Sequence, residues 1–321
     1  MAERRLRVLL VLATSTGGVG RHVASLAAGF EALGHAVTVA GPSSSRAVVD
    51  RPSYEVVEIG AAPHPGRDAL AVARLRALAR DADVVHAHGL RAGALAVLTA
   101  RPVVVTLHNA VTGRVAAVLE RLVAHRSRVV LAAGEDLAQR ARAVGADDVR
   151  LAPVAAPPLV PTGVDPGLGS PLVLAVGRLH PQKGYDTLLA ALPAWPDAVV
   201  AVAGDGPLAG HLAAAGPAVR WLGRRDDVAD LLAAAAVVVL PSVWEARSLS
   251  AQEALRAGRP LVATAVGGVP DLVRDGAVLV PPGDPAAAAA VAARGLEVAQ
   301  SWPDEADTVA QVAAVYAEVA R

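Results

Sequence analysis

The sequence contains no cysteine and very few aromatic residues. Without thiols there is no disulfide, no thiolate nucleophile and no cysteine-ligated metal, a composition that fits a cytoplasmic protein. Aromatics make up 2% of the chain against a hydrophobic share of 54%, so its cores have to be built from Ala, Val and Leu. Net charge is missing too, because thirty basic and thirty acidic residues cancel. No Lys/Arg stripe interleaved with aromatics offers a grip on a phosphate backbone, which argues against nucleic acid as a partner. No segment reaches the roughly 20 uninterrupted apolar residues of a membrane-spanning helix. Arg4, Arg5 and Arg7 precede an apolar run from Val8 to Ala13 in the manner of a signal peptide. That run is short and leads into a glycine turn, so it reads as a buried first strand. Lysine is the last scarcity: Lys183 is the single lysine among the thirty basic side chains. A compact ammonium and a planar guanidinium are not interchangeable at a phosphate, which marks Lys183 for a site-specific role.

What is present is alternation. The runs Val8 to Ala13, Ala36 to Ala40, Val84 to His86, Val103 to Leu107 and Arg128 to Ala132 read as strands, with helices such as Val19 to Leu33 and Asp68 to Arg80 between them. Continuous apolar strands separated by helices imply a parallel sheet covered on both faces. Near Pro153 the pattern dissolves into Pro157, Pro158, Pro161, Pro166 and Pro171 with Gly163, Gly167 and Gly169, the composition of an interdomain joint. It then restarts with Leu172 to Val176, Ala198 to Ala203, Val219 to Leu222, Val237 to Leu240, Leu261 to Ala263 and Val278 to Val280. The expectation is an α/β chain of two Rossmann-like domains with parallel sheets facing across a cleft. Residues 1–157 form the first, 158–170 the linker and 171–300 the second, with 301–321 a closing helix. The Ala-rich stretch Pro285 to Ala293 reads as a helix inside the second domain.

In such sheets ligands sit at the carboxyl ends of strands. After the first strand, Gly17 and Gly18 open a helix whose first amides suit an anion, although a tight turn explains them equally well. Val176-Gly177-Arg178 leaves a strand, and Lys183-Gly184 precedes a helix. Two cations at one strand-to-helix junction suit a diphosphate. Gly204-Asp205-Gly206-Pro207 and Leu222-Gly223 place glycines at two further strand ends, where a base or ribose could lie against backbone and where an ordinary turn is the competing reading. In the stretch Pro241 to Leu255 a strand ends at Leu240 and a helix starts near Ser248, so Glu245 falls in the loop and Glu253 within the helix. Their separation, on the order of 10 Å at 1.5 Å per residue, exceeds that of paired acid/base carboxylates and suits two ends of one elongated ligand. The competing reading makes Glu245 a helix-dipole partner and Glu253 a surface ion pair.

The ordered set Gly177-Arg178, Lys183-Gly184, Gly204-Asp205-Gly206-Pro207, Leu222-Gly223, Pro241-Ser242, Glu245 and Glu253 spaced E-x7-E, Ala257-Gly258 and Gly267-Gly268-Val269-Pro270 resembles the retaining glycosyltransferases of family 4, also called glycosyl transferases group 1, which have the GT-B fold. The first half agrees through Gly17-Gly18-Val19, the run Asp83 to His88 and Thr106-Leu107-His108-Asn109. The resemblance implies an acceptor-side first domain and a second domain that binds a nucleotide sugar. Arg178 and Lys183 would hold the donor diphosphate with help from Gly17 and Gly18. Glu253 would bind the ribose, Glu245 the sugar hydroxyls, and His108 would sit beside the anomeric carbon. Gly204, Gly223, Arg247, Ser248 and Leu249 would complete the donor contacts. The reaction it implies has no enzymic nucleophile, cofactor or metal. The one Asp-x-Asp, Asp81-Ala82-Asp83, precedes its strand and is a poor metal site. His86 and His88, two apart on a strand, share a face, with acceptor contact and a core position both open.

The sequence departs from the family at Ala246-Arg247-Ser248, where Ser/Gly-Phe-Gly is usual, and Pro161-Thr162-Gly163-Val164-Asp165 only echoes an Asn-Gly-Val-Asp element at the interdomain joint. The leading expectation is transfer of a hexose or N-acetylhexosamine from a UDP- or GDP-sugar to an alcohol, lipid-linked acceptors being common in the family. That places the protein in the cytoplasm or peripherally at the inner membrane face. A nucleotide-sugar-binding protein that has lost transfer and serves as sensor or complex partner is the alternative. An epimerase would want more acid/base residues around the sugar. A dehydrogenase would want Gly-x-Gly-x-x-Gly and an acidic residue after the second strand, which ends Val39-Ala40-Gly41-Pro42.

Overall fold

The structure, a computed structural model, describes residues 4–15, 17–99, 101–110, 113–156, 158–195, 198–283 and 305–320. The chain divides into two compact units, Met1–Ala155 with Pro303–Arg321, and Ala156–Trp302.

The first unit holds strands β1 (Arg7–Leu12), β2 (Ala36–Gly41), β3 (Tyr54–Val56), β4 (Val84–His88), β5 (Val103–Leu107), β6 (Val129–Ala132) and β7 (Val149–Leu151). Between them run helices α1 (Gly18–Ala32), α2 (Arg46–Val49), α3 (Pro65–Ala79), α4 (Leu90–Ala96), α5 (Arg114–Arg126) and α6 (Glu135–Ala143). The sheet order is β3-β2-β1-β4-β5-β6-β7, parallel at every pairing. Side chains alternate between two buried layers because strand residues point to opposite faces. Leu9, Val11, Val85, Ala87, Val103 and Val105 pack on one face. Val8, Leu10, Leu12, Val84 and Val104 pack on the other, under α1.

The second unit repeats the plan with β8 (Leu172–Val176), α7 (Tyr185–Ala191), β9 (Val199–Ala203), α8 (Ala209–Ala215), β10 (Arg220–Trp221), α9 (Val228–Ala234), β11 (Val237–Leu240), α10 (Leu249–Arg256), β12 (Leu261–Thr264), α11 (Val269–Val273) and β13 (Val278–Val280). Its order is β10-β9-β8-β11-β12-β13, again parallel, the doubly wound arrangement of a dinucleotide-type fold. The final helix α12 (Glu305–Val319) belongs to the first unit. There Val309, Val312, Val315, Tyr316 and Val319 join the layer under α1, and Tyr316 stacks on Phe30 with ring centroids 4.7 Å apart. The stretch 285–293, read as helix, lies outside the described residues.

Strand β4 runs to His88, two residues beyond the expected end at His86. The short edge strands β3 and β7 escaped the sequence reading. Their sequences Tyr-Glu-Val and Val-Arg-Leu interrupt the continuous apolar run that identifies a buried parallel strand, because an edge is only half covered.

Candidate functional site

Strand order reverses around β1 in the first unit, with β2 and β4 on either side, and around β8 in the second, with β9 and β11. The crevices at the carboxyl ends of β1/β4 and β8/β11 are where doubly wound sheets take ligands. Every charged residue singled out in the second half lies beside the β8/β11 switch point or on the helix that follows it. Arg178 leaves β8 and is exposed, making no salt bridge among the described residues. Lys183 closes a short 3-10 turn, Pro181–Lys183, capped by His180 Nδ1, which accepts from the Gln182 amide. Gly184 follows at φ 62°, and a Cβ there would fall 2.1 Å from the Pro241 carbonyl oxygen, so the lysine turn is pressed against the end of β11. Two more bonds lace these loops: the Val243 amide donates to the Gln182 carbonyl at 2.8 Å, and Gln182 Nε2 to the Trp244 carbonyl at 2.9 Å.

The result is a fixed ion pair. Lys183 Nζ donates to Glu245 Oε1 at 2.5 Å, and the Ser242 hydroxyl donates to the same oxygen at 2.8 Å. Both charges are largely buried, with 19% of the lysine and 8% of the glutamate side chain exposed. The Glu245 carbonyl accepts from Gly268, which anchors the loop to the start of α11. Glu245 is therefore a carboxylate partner of Lys183 and Ser242 and not a cap of α10. That cap is Ser248, whose hydroxyl accepts from the Ala251 amide at 3.3 Å, so the serine at the unusual motif position has a local structural task. Leu249 is the first residue of α10, and Glu253, buried at 4% exposure, is the fifth. Glu253 thus lies less than a turn and a half inside the helix and is no surface residue. Arg247 is partly buried, and burial beside Arg256 pushes its guanidinium down to about 10.

The glycine turns after β9 and β10 meet the same crevice. Gly204 has φ 153°, and a Cβ there would stand 1.9 Å from the Gly177 carbonyl oxygen. Its amide donates to the Gly223 carbonyl at 2.8 Å, and the Leu179 amide to the Asp205 carbonyl at 3.0 Å. The Arg178 loop is thereby held by its neighbour's backbone. Sequence reasoning missed Asp230 on α9, buried at 4% exposure, whose carboxylate accepts from the amides of Thr162 and Gly163 and from the Thr162 hydroxyl at 2.8 to 2.9 Å. The Pro161-to-Asp165 element is thus pinned to α9. Gln252 and Arg256 of α10 likewise bond the amide and carbonyl of Ala156.

In the first unit Gly17 is the N-cap of α1 and Gly18 its first residue, with Ser15 Oγ accepting from the Gly20 amide at 3.1 Å. His86, His88, Thr106 and His108 point to the face covered by α1 and α12. His86 Nε2 and Thr106 Oγ1 share a hydrogen bond of 2.6 Å, and the other ring nitrogen bonds the Tyr316 hydroxyl. His86 is thereby a core residue, driven down to about 3 by burial and then by His22. His88 Nδ1 lies 3.1 Å from His108 Nε2, and both rings are held neutral by burial and by the neighbouring imidazoles. His22 of α1, another residue the sequence reading did not single out, lies edge-on to both, 5.5 and 5.3 Å between centroids. Asp83 precedes β4 and accepts from the Arg7 amide at 2.8 Å while pairing with Arg4, so it is a structural residue.

Two family models cover most of the chain: Glycosyltransferase Family 4 over residues 16–167 and Glycosyl transferases group 1 over residues 170–297. A phosphatidyl-myo-inositol mannosyltransferase of Mycobacterium tuberculosis is 32% identical, covering 87% of this chain and 83% of its own. The chain belongs to the family 4 glycosyltransferases. A glycogen synthase of the same organism is 31% identical over 81% of this chain and 77% of its own. Among solved structures, Anabaena Alr3699/HepE in complex with UDP-glucose superimposes with a TM-score of 0.82 at 19% identity, covering 98% of this transferase and all of that chain. A sucrose-phosphate synthase of Thermosynechococcus elongatus gives 0.78 at 20% identity, covering 98% and 99%. These likenesses show the GT-B fold with its two Rossmann-like domains. No described helix of the transferase is long and apolar enough to cross a membrane.

Proposed function

We propose that this glycosyltransferase moves a hexose or N-acetylhexosamine from a UDP- or GDP-sugar to an alcohol with retention of configuration and without a metal ion. The observation that carries the reading is the cationic pair at the β8/β11 switch point. Arg178 has no protein counterion among the described residues, and Lys183 is held in place by Glu245 and Ser242. A diphosphate meets an exposed guanidinium and a pre-oriented ammonium there, so little side-chain ordering remains to be done on binding. Glu253 takes the ribose hydroxyls and Glu245 the sugar hydroxyls. Gly17, Gly18, Gly204, Gly223, Arg247, Ser248 and Leu249 complete the donor contacts, and His108 acts at the anomeric carbon.

In this reaction the bond between the anomeric carbon and the diphosphate oxygen breaks, and the acceptor oxygen bonds to the carbon on the same face. The acceptor proton passes to the departing diphosphate, whose charge Arg178 and Lys183 stabilise as it develops. The charge for the step thus comes from the substrate. The inositol-based names of several relatives favour a polyol or lipid-linked alcohol as acceptor, and a peripheral place at a membrane follows if the acceptor is a lipid.

Calorimetric titration with UDP-, GDP- and ADP-sugars, followed by NMR of the sugar released from the bound donor, tests the proposal. Binding of one donor class and release of the retained anomer support it. Binding with no turnover across the donor panel would leave only a nucleotide-sugar-binding protein. Replacing His108 by Ala should spare nucleotide affinity and lower turnover by about 10²-fold, as loss of a group acting on developing charge does.

A further inference from the structure

Three imidazoles converge in the first unit from three separate elements. His88 ends β4, His108 follows β5, and His22 comes from the second turn of α1, the helix that lies over them. Parallel pairing sets His88 opposite Thr106, and His108 lies two residues further along the same face. Each ring offers one nitrogen such that the three lie within 4.8 Å of one another, and all three residues are buried at 2 to 8% exposure. The closest pair, His88 Nδ1 and His108 Nε2, is 3.1 Å apart. The hydrogen bond between them fixes the His88 ring and leaves its Nε2 as the nitrogen available to an ion.

A second observation points the same way. His88 Nε2 is buried without a hydrogen-bond partner among the described residues. A neutral imidazole has one donor and one acceptor, and a bond to His108 satisfies only one of them. An orphaned polar atom in the interior costs about 1–3 kcal/mol and calls for an explanation such as an ion.

We propose that His22, His88 and His108 form a site for a borderline-soft divalent transition metal ion, Zn2+ being the best fit. Three neutral nitrogens and an open fourth position suit Zn2+, Co2+ or Ni2+ and not Mg2+ or Ca2+, which require oxygen ligands. None of the three residues is among the diphosphate-binding residues, and the ion itself takes no part in the transfer; His108 alone is shared with it. Its effect on turnover rests on that reading: an ion that engages His108 withholds the ring from the sugar, so the metal is an inhibitor.

Full-length protein, stripped with EDTA and titrated with Co2+, should take up one equivalent with the visible absorption of tetrahedral cobalt, and Zn2+ should displace it. His22→Ala and His88→Gln, measured separately, should weaken Co2+ binding by more than the about 10–100-fold typical of losing a supporting residue. The exposed His211→Ala should not. Retained UDP-sugar binding and an unchanged circular dichroism spectrum show that each variant is folded. In turnover assays Zn2+ should inhibit the parent and spare His22→Ala. Absence of tetrahedral cobalt absorption, or equal metal affinity in the parent and both folded variants, overturns the site. Metal binding that leaves turnover untouched overturns the inhibitory role, and failure of all turnover with metal binding intact indicts the transferase reading alone.

Discussion

Lys183 Nζ lies 2.5 Å from Glu245 Oε1, so the diphosphate of the proposed donor would share that ammonium with a carboxylate. The sharing fixes where the charge sits before the donor arrives. Replacing Lys183 by Ala removes a charge-assisted contact of about 1.5–3 kcal/mol and leaves a buried carboxylate with Ser242 as its remaining partner, so the Kd for UDP- or GDP-sugar should rise about 10–100-fold by calorimetry. Lys183→Arg should restore little of this, because a planar fork does not fit the place of a point charge packed against Glu245. Asp230 is the contrasting case. Its carboxylate takes three hydrogen bonds from Thr162 and Gly163, and Asp230→Ala strands those donors. Stability of the second unit should fall by about 3 kcal/mol in urea denaturation, while nucleotide affinity of the folded protein stays unchanged.

At the level of elements, the crevice depends on how closely loops approach each other. A Cβ on Gly204 would lie 1.9 Å from the Gly177 carbonyl oxygen, in a backbone conformation that L side chains rarely adopt. Gly204→Ala should therefore push the Arg178 loop away from β9, cost about 3 kcal/mol or more and weaken donor binding with it. Gly210, inside α8 with open space around it, should behave oppositely: Gly210→Ala should raise stability by about 0.4–1 kcal/mol in the same denaturation experiment. The central strands were legible because both of their faces are covered. Val103–Leu107, Leu172–Val176 and Val237–Leu240 fall where their unbroken apolar runs put them. The edge strands Tyr54–Val56 and Val149–Leu151 were not, since half-covered strands carry mixed sequences. In the second unit, residues close in sequence to the glycine turns were readable as a group. Asp230 and His22 were not, because each meets its partners only after distant segments are brought together, and a lone Asp or His on a helix has no local signature.

For the whole molecule, two units imply two cores that need not unfold together. Tyr316 is fully buried against Phe30 in the first unit's core. Tyr316→Ala should cost about 3–5 kcal/mol there, as large aromatic truncations do. Calorimetry should show the transition of the first unit moving down alone. Saturating nucleotide sugar should move the transition of the second unit up, by about 2.7 kcal/mol at a hundredfold excess over Kd.

Helix α12 is made after the whole of the second unit, yet it completes the layer beneath α1. On the ribosome, the domain translated first therefore stays unfinished until α12 has emerged, with the apolar surface around Phe30 open until then. The domain inserted between its two parts has its whole sequence available earlier and can close its own sheet in the meantime. The order of assembly is thus inverted relative to the order of synthesis. A chain that stops a few residues before Glu305 would carry an intact second domain and an N-terminal one with an exposed hydrophobic face, a natural mark for chaperones and proteases.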